Sequence, residues 1–108
     1  MTKGYINEHL VTANTIWQML GSQHFSLVTG CKPLYFGERD GKTFLLMSMG
    51  RNKNDISLFE VLSEGETYEM RFIRNAHAIA VYKEVTPEML YVIFEQYTGI
   101  SIKRKLCA

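Results

Sequence analysis

With 108 residues, the chain is long enough for one hydrophobic core and too short for two, so a single domain over residues 1–108 is expected. Apolar residues at 46% and charged residues at 21% are ordinary globular proportions, which excludes disorder as the main state. A net charge of +1, from 12 Lys and Arg against 11 Asp and Glu, excludes an acidic nucleic-acid mimic and a surface wholly given to gripping phosphate.

In chain order, Leu10, Ala13, Ile16, Trp17 and Leu20 recur at helical spacing and predict a helix over Glu8–Leu20, with Gly21 as its cap. From His24 to Thr29 the residues are β-formers, followed by Gly30 and Pro33, and a strand is expected there. A second strand is expected at Leu34–Phe36. Asp40-Gly41 is a tight-turn dipeptide, and Lys42–Met49 follows as the third strand. Asp55–Leu62 and Thr67–Arg74 read as a hairpin around Ser63–Glu66, and His77–Glu84 as one more strand after an Asn75-Ala76 turn. Thr86 as N-cap, Pro87 at the first helical position and Gly99 as C-cap mark a closing helix, with Met89, Leu90, Ile93, Phe94 and Tyr97 as its apolar stripe.

Strands joined by such short turns pair antiparallel, because a parallel crossover needs a dozen or more residues. The expectation is an α+β fold: an antiparallel meander sheet of about five to six strands, with an N-terminal and a C-terminal helix packed on one face. Alternation predicts Tyr68, Met70 and Phe72 on the core side of their strand and Thr67, Glu69 and Arg71 on a wet side. Lys42–Met49 and Asp55–Leu62 are apolar on both sides, so either the sheet curls on itself or another molecule covers part of its second face, as a homodimer or a partner would.

Several chemistries find no support. No run approaches the roughly 18–20 apolar residues of a membrane span, and the N-terminus lacks a hydrophobic signal core, which points to the cytoplasm. In that reducing compartment Cys31 and Cys107 are expected as thiols. His9, His24 and His77 do not have metal-ligand spacing, so no metal and no cofactor is expected. Cys31 precedes Lys32 without a nucleophile motif and reads as a small turn residue. Glu38/Asp40 and Glu64/Glu66 are paired carboxylates, but at turns, where solvation keeps them ordinary. No catalytic residue is assigned, and the chain is read as a non-enzyme. The charged residues Arg51, Lys53, Glu60, Glu69, Arg71 and Arg74 on and beside the hairpin are the candidate partner-binding set. Lys103, Arg104 and Lys105 are the candidate contacts for nucleic acid in an alternative reading.

Four segments occur in a telling order: Thr12–Gly21, with its Leu20-Gly21 ending; Phe25 through Thr29-Gly30; Thr67-Tyr68-Glu69-Met70-Arg71-Phe72; and Leu90 through Ile93-Phe94 to Thr98-Gly99-Ile100. In these marks the chain resembles a group of short proteins carried by bacteriophages and other mobile elements of Gram-positive and gut bacteria. The shared marks are caps, turns and core faces, so no functional residues carry over, and the tail after Ile102 departs from the pattern. The resemblance implies a phage or mobile-element protein acting by stoichiometric binding to a host macromolecule, most specifically an anti-CRISPR inhibitor of an effector nuclease. A nucleic-acid-binding accessory protein of a mobile element is the alternative.

Overall fold

A computed structural model describes residues 7–101. The order is α1 (Glu8–Leu20), α2 (Ser22–Thr29), β1 (Lys32–Arg39), β2 (Lys42–Ser48), β3 (Leu58–Glu64), β4 (Thr67–Arg74), β5 (His77–Val85), a 3₁₀ turn (Pro87–Met89) and α3 (Leu90–Thr98). The strands form one five-stranded antiparallel sheet in sequence order, β1-β2-β3-β4-β5, so the fold is the expected α+β meander.

Turn chemistry explains the meander. Asp40 and Gly41 between β1 and β2, and Asn75 and Ala76 between β4 and β5, all adopt positive φ, the signature of type I′ hairpin turns. Between β3 and β4 only Gly65 does so, as a type II′ turn requires. The β2–β3 connection, residues 49–57, is longer and is organised by Asn52. Its Nδ2 donates to the carbonyls of Gly50 and Ile56 at 2.9 Å each, and its Oδ1 accepts from the Ile56 amide at 2.9 Å. Asn54 Nδ2 then donates to the Tyr97 carbonyl at 2.6 Å, tying this loop to the end of α3.

The segment His24–Thr29 is helical, which corrects the strand expected there. Propensity is overridden by tertiary contacts. In a helix Phe25 and Thr29 fall one turn apart on the inner side, where both are buried. The Phe25 ring then packs edge-on against Trp17 at 5.9 Å and Phe94 at 5.0 Å. Thr29 Oγ1 donates to the Phe25 carbonyl at 2.6 Å and accepts from the Cys31 amide at 3.0 Å, so one hydroxyl serves both the helix end and the turn beyond it. Gly50 passes against this turn so closely that a Cβ on it would lie 2.5 Å from the Thr29 carbonyl oxygen. Two boundaries also move. β3 begins at Leu58, not Asp55, and the closing helix opens as a 3₁₀ turn, with Thr86 at its N-cap position but without a side-chain cap bond and Pro87 first, before α3 starts at Leu90.

All three helices lie on one face of the sheet, where Phe59 and Phe72 stack at 5.0 Å and 16° and Phe94 of α3 sits 5.0 Å from Phe59. Ile16, Met47, Val61, Met70 and Leu90 complete a dry interior around them. Burying each such side chain contributes about 1.5–3 kcal/mol. At the seam between α1 and the β1–β2 hairpin, His9 Nδ1 is hydrogen-bonded to the buried Thr43 hydroxyl, and Asn7 caps α1 through its side-chain oxygen at 3.0 Å from the His9 amide.

Candidate functional site: the sheet face opposite the helices

Register places a second set of side chains on the face away from the helices. Leu46 is opposite Glu60, Glu60 opposite Arg71, and Arg71 opposite Val81. One residue pair further along, Gly37, Phe44, Leu62 and Glu69 form the next row. No helix of the described residues packs here, yet Phe44, Glu60, Leu62 and Glu69 are 8%, 3%, 5% and 5% exposed.

Long cations account for that burial. Arg39 on β1 reaches across β2 to Glu60 on β3, with Nη1 3.1 Å from Oε1 and Nη2 2.7 Å from Oε2, a forked charge-assisted pair. On the way its guanidinium lies 4.7 Å above the centre of the Phe44 ring. Those bonds to Glu60 hold the Arg39 guanidinium above its usual pKa. Arg71 Nε donates to Glu69 Oε2 at 2.6 Å and lies 3.9 Å from Glu60 Oε1. Lys42 Nζ donates to Glu64 at 2.7 Å at the exposed margin. Phe44 can lean towards the β1 edge because position 37 is glycine, where a Cβ would meet its ring at 3.1 Å.

The face is therefore graded along the strands. One end carries Arg39, Lys42, Glu64 and Glu69 and opens into a depression of about 360 Å³ lined by Glu64, Thr67, Glu69, Lys83 and Glu84. The other end is apolar: Leu46, Leu58 and Ile73 are half-buried, and Tyr35, Ile79 and Val81 are exposed by 61%, 38% and 43%.

Of the predicted partner-binding residues, Glu60, Glu69 and Arg71 meet on this face. Arg51, Lys53 and Arg74 do not join them. Arg51 is exposed in the β2–β3 loop, the Lys53 amide donates to the Thr98 carbonyl at 3.5 Å, and Arg74 Nη1 donates to the Asn54 carbonyl at 3.0 Å. Arg74 shares the helix-side parity of Phe72, and Lys53 lies against Gly99 at the end of α3, so both are turned away from this face. Glu69 is also far drier than its expected wet side implied, because Arg71 lies against it. Lys103, Arg104, Lys105 and Cys107 lie outside the described residues. Arg39 and Lys42 escaped the sequence reading, although the Asp40-Gly41 turn fixes their pairing and hence their common face, and Glu64, read as a solvated turn carboxylate, is instead paired with Lys42.

Cys31 is buried with its Sγ donating to Met49 Sδ at 3.4 Å, and burial pushes its thiol up to about 11, so it is no nucleophile near neutral pH. Among the described residues no three His, Cys, Asp or Glu side chains are grouped to hold a metal ion, and no helix is long and apolar enough to cross a membrane. No family model, curated protein or solved structure matches the chain.

Proposed function

We propose that this chain is a phage or mobile-element protein that acts in the cytoplasm of a host bacterium by stoichiometric binding to a host protein, most specifically as an inhibitor of a CRISPR effector nuclease. The observation that carries the binding role is the uncovered sheet face, where the exposed Tyr35, Ile79 and Val81 adjoin an ion-pair lattice. Apolar area left uncovered on one side of a small sheet gains most by meeting another protein surface. Because Arg39, Lys42 and Arg71 already hold carboxylates, docking there leaves few unpaired charges behind.

The test is affinity capture from a CRISPR-bearing host, followed by a nuclease cleavage assay with the purified effector. Retention of the effector and loss of cleavage at one-to-one stoichiometry is the expected result, with Val81→Asp restoring cleavage. Undiminished cleavage overturns the inhibitor reading. A second copy on the same face would appear as a dimer in sedimentation velocity that Val81→Asp dissociates. The alternative, a nucleic-acid-binding accessory protein, needs free cations. It predicts a shift of DNA or RNA at low salt that weakens steeply as salt rises.

A further inference from the structure

The sheet has two edges, and they differ. β5 is blunted: its register with β4 slips twice, between Tyr68 and Met70 and between Phe72 and Ile73, and Glu84 is held at φ 56°. Such bulges turn an edge away from further pairing. β1 has one slip, between Pro33 and Tyr35, after which Tyr35–Arg39 runs in unbroken register with β2. Among the described residues nothing pairs with the outer side of that stretch. Beside it a groove of about 190 Å³ opens between β1 and α1, lined by Ala13, Asn14, Trp17, Leu34, Phe36 and Leu45. Leu34, the residue displaced by the slip, is 57% exposed at its mouth, and Leu10, one turn before Ala13 and Asn14 on α1, is 43% exposed. Lys32, at the start of β1, is exposed and makes no ion pair among the described residues.

We infer that the β1 edge is a strand-addition site for an extended segment of a protein partner, one that places a large apolar side chain in the α1–β1 groove and an acidic residue beside Lys32. An added strand satisfies the outward amides and carbonyls of Tyr35–Arg39, while the groove selects the side chain, the division of labour of peptide recognition by a sheet edge. A second copy of this chain fits less well. Two β1 strands paired about Gly37, the middle of the regular stretch, would set Glu38 of each copy against Phe36 of the other and leave both grooves empty. This site shares Tyr35 and Arg39 with the sheet face invoked above but uses the outward backbone groups of their strand; Val81 on β5, whose substitution tests that face, is about 19 Å away, four strand spacings.

The probe is an acetylated, amidated synthetic peptide of alternating leucine and threonine with one terminal glutamate. Trp17, the only tryptophan, lines the groove and reports on it directly. The expected results are a saturable blue shift of its emission and slowed amide exchange within residues 35–39 but not within β5. A peptide with proline at alternate positions should not bind, because it cannot donate along the edge. Leu34→Asp, at an exposed position, should weaken binding roughly tenfold or more with its amide spectrum still native, whereas Val81→Asp should leave it unchanged. Absence of a saturable shift at millimolar peptide, protection on β5 instead, equal binding of the proline peptide, or self-association of the chain through residues 35–39 would each overturn the inference.

Discussion

On the helix side of the sheet, Phe25, Phe59, Phe72 and Phe94 reach full burial because α2 and α3 lie over the strands. On the other side Phe44, Leu62, Glu60 and Glu69 are nearly as dry, with no helix of the described residues above them. The first face excludes water with interlocked rings, whose packing tolerates no change of volume. The second does so with arginine stems and a forked ion pair laid flat over the strands, a cover made of side chains that are themselves 39% and 35% exposed. A self-made cover of that kind shields its own sheet, yet it can rearrange when another surface arrives.

The largest test of this contrast is Phe59→Ala, which removes a fully buried ring from contact with both Phe72 and Phe94. Urea unfolding should show a loss of about 3–5 kcal/mol. Arg39→Ala should cost less, about 2–4 kcal/mol, mostly from leaving Glu60 buried without its forked partner. Arg39→Ala combined with Glu60→Gln should recover part of that loss; strict additivity in the double-mutant cycle would break the account of the second face.

A third test is set by pH. The Cys31 thiol ionises near 9 in an unfolded chain and near 11 when folded, so above pH 9 the unfolded state binds fewer protons and stability falls as pH rises. Cys31 should contribute about 2 kcal/mol of the fall by pH 11, the part that Cys31→Ala removes in thermal melts across that window, while Tyr68, whose phenol burial also raises, keeps a smaller fall in place. The smallest effect is Lys42→Ala. Its pair with Glu64 sits at the exposed margin, and the urea midpoint should move least of the set, within the scatter of repeat curves. A larger loss would mean that the lattice extends to the edge of the face as one unit.

How much of this was legible in the sequence follows from the range of the forces involved. The meander could be read because its turns are local: Asp40-Gly41 specifies a hairpin by its own backbone preference, and Asn75 tolerates the left-handed region that Ala76 enters against its own. The core face of β4 could be read because alternation is local too, whereas β2 and β3, apolar on both sides, left theirs open. α2 could not. Its β-formers pointed the other way, and what makes it helical is the fit of Phe25 between Trp17 on the preceding helix and Phe94 on α3, distant in the chain. The candidate site was half legible. Glu60, Glu69 and Arg71 follow from one hairpin, but the Arg39–Glu60 pair spans two strand spacings and needs the register of three strands at once. Arg74 and Lys53 were drawn apart by hydrogen bonds to a loop and a helix end that alternation does not describe.

Because α3 follows the whole sheet in the chain and supplies Phe94 and Leu90, the aromatic stack is sealed only after every strand has been made. A product ending between residues 85 and 90 would hold a paired sheet with Phe59 and Phe72 stripped of the cover that α3 gives them. Proteases and chaperones recognise such greasy patches, so unfinished copies carry their own mark for disposal.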